Sequence, residues 1–265
     1  MTTCKTKYPI MLIHGTGTRD DGRLSCWGRI PTALESEGAT VFFSNQDAWG
    51  TIEENAESVK ERALAVLSES GSEKLNIIAL SKGGLEARYM IHKFDMGDKV
   101  ASLTTISTPH RGSKTIDFLY RKFSPIMRFV AIFANCISRW KGDRNPDFYS
   151  ICKQFSTAYC EKFNRDVLDS DKVYYQSFAS SMKKSYSDML LFVPHAFVKF
   201  FDGECDGIVS VDSAKWGEFK GVITGGRVRG VSHSDLRDLR RMGPLGKKII
   251  GEYIAIVSGL KEMGF

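Results

Sequence analysis

Leu75-Asn-Ile-Ile-Ala-Leu-Ser81-Lys-Gly-Gly-Leu85 is the stretch that decides the fold. Its first six residues are almost unbroken in apolar character, which reads as a strand buried on both faces of a parallel sheet. The run ends in a serine, and Gly83 and Gly84 then open a segment that keeps helical spacing as far as Lys93. A serine on a tight strand-to-helix turn is the setting of a nucleophile elbow, whose pattern is G-x-S-x-G. Here Ala79 stands at the first glycine position and Gly83 at the second. Both are small enough for the strand and helix backbones to pass closely. A serine in an ordinary loop after a buried strand is the plainer reading of the same residues.

Outward from this stretch, apolar strand-like runs alternate with helical segments. Residues 8–14, 40–43, 100–106 and 173–178 read as strands, as does the neighbourhood of 197–201. Residues 27–37 and 52–69 carry helical periodicity, and Gly38 and Gly71 stop them. Residues 246–262 close the chain as a helix. Short strands that are continuously apolar and separated by helices predict an α/β fold, a mostly parallel central sheet with helices on both faces. The rhythm breaks over 113–170, which is helical in pattern, and residues 126–137 there are apolar nearly all round. Such a helix is buried or covers something apolar. The expectation is a single domain over 1–265 with a helical insertion at 113–195.

Composition excludes several classes. With 265 residues, 42% hydrophobic and 26% charged, the chain is an ordinary globular one that needs no disulfide or metal to fold. Lys+Arg exceeds Asp+Glu by 37 − 31 = +6, but the charge is spread. Its densest run, Arg237-Asp-Leu-Arg-Arg241, is broken by an acid, so no nucleic-acid partner is expected. No apolar stretch is long enough to span a membrane as a helix. Neither a secretory signal nor a CxxC pair is visible, so reduced thiols and a cytoplasmic location are expected.

A serine nucleophile needs a base, and the base needs an orienting acid; on this kind of fold they follow in the order Ser, Asp or Glu, His. Of five histidines, only His195 and His233 lie well beyond Ser81. His233 follows a glycine-rich stretch near the end of the chain, where the base belongs, whereas His195 sits in an apolar segment and reads as packed. Asp206, in Glu204-Cys-Asp-Gly-Ile-Val209, is the favoured acid. Asp202 also precedes a glycine and is its rival, and a plain turn aspartate is the alternative for either. The oxyanion needs two backbone N–H donors, one from the residue after the nucleophile and one from a loop after an early strand. Lys82 and Thr16 occupy those positions, with His14 shaping the second loop.

Several blocks, in the same order, resemble the bacterial true-lipase family, the triacylglycerol lipases of Pseudomonas and Burkholderia. They are Tyr8-Pro-Ile-Met-Leu-Ile-His-Gly15, Gly38-Ala-Thr-Val41, Leu80-Ser-Lys-Gly-Gly-Leu-Glu-Ala-Arg-Tyr89, Ala101-Ser-Leu-Thr-Thr-Ile-Ser-Thr-Pro-His-Arg-Gly-Ser113, Asp206-Gly-Ile-Val209 and His233-Ser-Asp235. The resemblance implies an α/β-hydrolase fold with a helical lid within 113–195 that opens at a lipid surface. It implies a Ser81-Asp206-His233 triad acting on triacylglycerol, with no cofactor required for the chemistry. It also implies a structural calcium near the His233 loop, with Asp235 as one ligand and Asp188 as the nearest counterpart of the other. Arg237, Arg240 and Arg241 crowd that loop with positive charge, and a solvated Asp235 capping the next helix competes with the metal. Leu80 departs from the family's histidine before the nucleophile. Secretion is usual in the family and is the alternative location. The same triad would serve a short-chain esterase or a polyester hydrolase, and a hydrolase-fold binding protein without turnover is the non-enzymatic rival.

Overall fold

The computed structural model describes residues 3–20, 26–225, 228–239 and 243–265. Six strands form one sheet, β1 (Ile10–Ile13), β2 (Val41–Phe43), β3 (Leu75–Leu80), β4 (Val100–Ile106), β5 (Tyr174–Ser180) and β6 (Glu218–Ile223). The helices are α1 (Ile30–Ser36), α2 (Ile52–Ser70), α3 (Lys82–Lys93), α4 (Lys114–Trp140), α5 (Phe148–Gln154), α6 (Thr157–Asp166), α7 (Phe192–Asp202), α8 (Val211–Ala214) and α9 (Gly243–Glu262).

The strand order is β2-β1-β3-β4-β5-β6, and every pair is parallel. Alternation along the strands explains their continuous apolarity. Ile10, Leu12, Ile78 and Leu80 point to one face and meet α1 and α9 through Leu34, Tyr253 and Val257. Met11, Ile13, Ile77 and Ala79 point to the other and meet α2 and α3 through Val59, Val66 and Met90. Each strand therefore needs apolar residues at successive positions, not at alternate ones. Local signals fix the helix between β2 and β3. Thr51 and Glu54 form a reciprocal capping box at the start of α2, and Gly71 ends it with φ +65°.

Two strand expectations are corrected. The aromatic segment around 197–201 lies in helix α7, where His195 and Val198, three residues apart, turn inward. β6 was not expected; its exposed Glu218 and Lys220 and half-buried Gly221 mark a sheet edge, which lacks the apolar run of a central strand. The residues between 113 and 195 also include β5, which lies in the sheet between β4 and β6. The helical excursions thus stand on both sides of one core strand, with α4, α5 and α6 before it and α7 after it. Arg240 and Arg241 lie outside the described residues.

Candidate active site

Ser81 stands between β3 and α3 with φ +56° and ψ −128°. A positive φ costs a non-glycine residue of order 1–3 kcal/mol and persists only where the surroundings hold it. The holding bonds are Ser81 N–H to Ile106 O, 3.0 Å, and Gly84 N–H to Ser81 O, 3.1 Å. The glycine at the second elbow position is a steric necessity. A Cβ on Gly83 would lie 2.6 Å from His14 O and 2.7 Å from Ile13 O, both backbone atoms. Gly83→Ala is expected to cost about 1–3 kcal/mol, because neither carbonyl can yield without moving β1. Thermal unfolding would register a drop of several degrees, and an unchanged transition would refute the close approach. Gly15 is pressed on the same point from the other side: its Cβ would meet Ser81 Cβ at 2.7 Å. The loop that carries Thr16 therefore runs against the serine, next to Lys82.

Asp206 and His233 come together on loops beyond the same strand ends. His233 Nδ1 lies 2.7 Å from Asp206 Oδ2, and His233 N–H donates to Asp206 O at 2.9 Å. Ser180, the last residue of β5, donates its hydroxyl to the same carboxylate oxygen at 3.2 Å. The other oxygen accepts the N–H groups of Ile208 and Val209 at 3.0 and 2.9 Å. Burial works against the Asp206 charge. The positive field and hydrogen bond of His233, with the two N–H donors, outweigh it and hold the carboxyl below its ordinary range. The pairing of Nδ1 with the carboxylate leaves Nε2 free to accept a proton.

Ser81 opens on a cavity of about 330 Å³ whose wall is largely apolar. Ile116 and Leu119 of α4, Val193 and Phe197 of α7, and Gly207 and Val209 beside Asp206 line it. The rival residues lie elsewhere. His195 is buried in α7 against Ser185 Oγ and Met182 O. Asp202 caps α4, accepting the N–H groups of Lys114 and Thr115 at 2.7 and 3.1 Å and both neighbouring hydroxyls, of Ser113 and Thr115.

A buried polar network behind the serine was not expected. Lys82 Nζ lies 2.5 Å from Glu86 Oε1 and donates to Gly50 O at 2.6 Å. Glu86 also accepts from Asn55 Nδ2 at 2.7 Å and from Gln46 Nε2 at 3.0 Å. Gln46 Nε2 donates in turn to His14 O, and the His14 ring bridges Gly15 O and Gln46 O. The network thus ties the elbow helix to the loop that carries Thr16. Its one sequence signal is the i,i+4 pair Lys82 and Glu86 in a helix whose first five residues are all buried.

The two expected calcium ligands do meet. Ser232 Oγ donates to Asp188 Oδ2 at 2.7 Å, and Ser232 N–H donates to Asp235 Oδ2 at 3.0 Å. Burial raises the Asp235 pKa, Asp188 adds to the rise, and the Arg229 guanidinium opposes it. Two buried carboxylates that share Ser232 are oxygen donors of the kind a hard cation takes. Among the described residues no group of three or more His, Cys, Asp or Glu side chains gathers.

Residues 9–185 match a family described as Palmitoyl protein thioesterase. The chain belongs to that family. The stretch matched to the thioesterase family carries Thr16, Ser81 and Lys82, while Asp206 and His233 lie beyond it. This thioesterase-family chain is also 29% identical over 262 residues to Triacylglycerol lipase 2 of Saccharomyces cerevisiae, covering 90% of this chain and 74% of that one. It is 32% identical over 180 residues to the triacylglycerol lipase of Pseudarthrobacter phenanthrenivorans, covering 62% of this chain and 55% of the relative. The expected likeness to bacterial triacylglycerol lipases is therefore borne out. The mature form of a Bacillus licheniformis lipase superposes with a TM-score of 0.70 over 95% of this chain and 92% of that one, at 17% identity. The fold is that of the α/β hydrolases, as expected.

Proposed function

We propose that this carboxylic ester hydrolase works through a Ser81-Asp206-His233 triad and an acyl-enzyme on Ser81. The observation that carries the reading is the 2.7 Å His233–Asp206 pair, delivered to the same loop cluster as a strained serine that opens on an apolar cavity. His233 Nε2 takes the proton of Ser81 Oγ as the oxygen attacks the ester carbonyl. Asp206 fixes the tautomer and stabilises the imidazolium. The N–H groups of Thr16 and Lys82 take the oxyanion, and His233 then gives its proton to the leaving alcohol. Water, activated by the same His233, releases the acid from Ser81. The cavity wall suits an acyl chain, and α4 and α7, which roof it, form the lid. Triacylglycerol is the preferred substrate class on the resemblance and the lipase relatives. The family's description favours a second class, acyl thioesters, which the same chemistry would cleave.

A fluorophosphonate is expected to add once, on Ser81, as located by peptide mass spectrometry; labelling elsewhere would overturn the assignment. Turnover of p-nitrophenyl esters with two to sixteen acyl carbons, beside an acyl thioester of matched length, then separates the classes. A peak at long esters supports the lipase reading. A short-chain peak moves the function to an esterase, and preference for the thioester moves it to a thioesterase.

The calcium reading belongs to the same proposal. Asp188 and Asp235, with loop carbonyls, would hold the ion, and its role would be to stiffen the loop before His233; no chemical step needs it. A chelator is expected to lower the unfolding temperature by a few degrees, reversed by added calcium, since an ion bound only by the folded chain stabilises it by mass action. An unchanged transition would leave the two carboxylates to Ser232 and Arg229.

A further inference from the structure

The part of α4 beyond its kink is built inside out. Phe123 breaks the helical geometry with φ −129°, and Pro125 follows. From there the side chains turned to the protein are modest in size or polar: Ser124, Met127, Ala131, Ala134, Asn135 and Ser138. They are used. Asn135 Oδ1 accepts the N–H of Phe148 at 2.8 Å, and Ser124 meets Tyr149 at 3.0 Å. The large apolar residues face outward. At about 100° per residue, Ile126, Phe129, Phe133, Ile137 and Trp140 fall within an arc of about 80°. All are exposed, from 55% at Ile137 to 86% at Trp140. A water-facing helix normally shows the opposite arrangement.

Charge accompanies this face. Between Asp117 and Asp143 there is no acidic residue, and there are five cations, Arg121, Lys122, Arg128, Arg139 and Lys141. None of the five forms an ion pair among the described residues. Val130 and Ile132, also exposed, widen the apolar face to about 160°; Arg139 and then Arg128 flank it on one side and Lys141 on the other, and Trp140 ends it. Arg128 lies over the Tyr149 ring, but no carboxylate among the described residues neutralises any of the five. A helix with an apolar stripe, an aromatic end and basic flanks without acidic partners suits the surface of an anionic bilayer, where the apolar side chains enter the acyl boundary and the cations meet headgroup phosphates. No helix of the described residues is long and apolar enough to cross a membrane, so α4 would lie on the surface.

We infer that the outer face of α4, residues 126–141, docks the protein on bilayers rich in anionic phospholipid. The inference goes beyond the proposed lid, since this face lines none of the Ser81 cavity and needs no opening to reach lipid. It also stands without the triad.

The test uses the full chain carrying Ser81→Ala, so that vesicles are not consumed. Flotation is measured with vesicles of phosphatidylcholine alone and with 30% phosphatidylglycerol added. Binding is expected to be at least tenfold stronger to the anionic vesicles and to fall steeply in 0.5 M salt. The variant Arg128→Gln/Arg139→Gln/Lys141→Gln is expected to lose roughly a hundredfold in partition, at about fivefold per charge removed. Phe129→Ser/Phe133→Ser is expected to lose binding to both vesicle types. All these positions are exposed, and both sets made in the Ser81 protein should keep wild-type turnover of a soluble ester, which verifies folding. Equal binding to both vesicle types, or charge variants that bind normally, would overturn the inference. So would a dimer in light scattering that Phe129→Ser/Phe133→Ser abolishes, because the face would then belong to a second copy.

Discussion

Ser81→Ala is expected to lower kcat/KM on a soluble p-nitrophenyl ester by about 10⁴-fold or more, with thermal unfolding nearly unchanged. Removing a triad nucleophile leaves only what the oxyanion donors and binding supply. The backbone bonds that hold position 81 at φ +56° come from its own N–H and C=O, so they survive the substitution. The strain also survives, because alanine dislikes that region as serine does. A loss of activity without a loss of stability is thus specific to the hydroxyl. Steady-state rates and a melting curve on the same preparation decide it. Activity retained within tenfold would mean that another group attacks the ester.

The second large effect falls on Glu86, which touches no substrate. Glu86→Ala is expected to destabilise the protein by about 3–5 kcal/mol, the cost of leaving a buried charge without its partner. Lys82 Nζ would keep Gly50 O but lose the carboxylate at 2.5 Å. Asn55 and Gln46 would each lose an acceptor at the same time. For a chain of this size that amounts to a fall in unfolding temperature of order 10 °C. Turnover of the remaining folded protein should also fall, because Gln46 anchors the His14 carbonyl beside the Thr16 loop. Urea unfolding at constant protein concentration measures the first effect. A cost below about 1 kcal/mol would show that the network is passive filling.

Much of this was legible in the residues. β3 and β4 occupy the bounds that their apolar runs predicted, because strands buried on both faces leave the strongest local mark. The meeting of Asp206 and His233 was legible for a different reason, since chain order on such a sheet dictates where loops can converge. The misreadings share a cause in tertiary context. Phe197, Phe200 and Phe201 have the composition of a strand, but their segment is a helix because its packing places His195 and Val198 inward. Asp202 resembles a triad acid by its glycine neighbour, yet it serves a helix end 87 or more positions earlier in the chain. The partners of Glu86 come from two further segments, and no local pattern announces such a meeting.

The bond set of Asp202 bears on how this protein can be rebuilt. The residue ends α7, and its carboxylate satisfies the first N–H groups of α4. The two roof helices, far apart in the gene, are therefore one inheritable module. A chimera that imports a foreign α4 while keeping the native α7, or the reverse, would set a helix start against a stranger's side chain. Exchanging both segments together, with Asp202 and Ser113 to Thr115 retained, is the graft that should fold. Directed recombination across this family should accordingly yield few functional crossovers between α4 and Asp202, and many on either side.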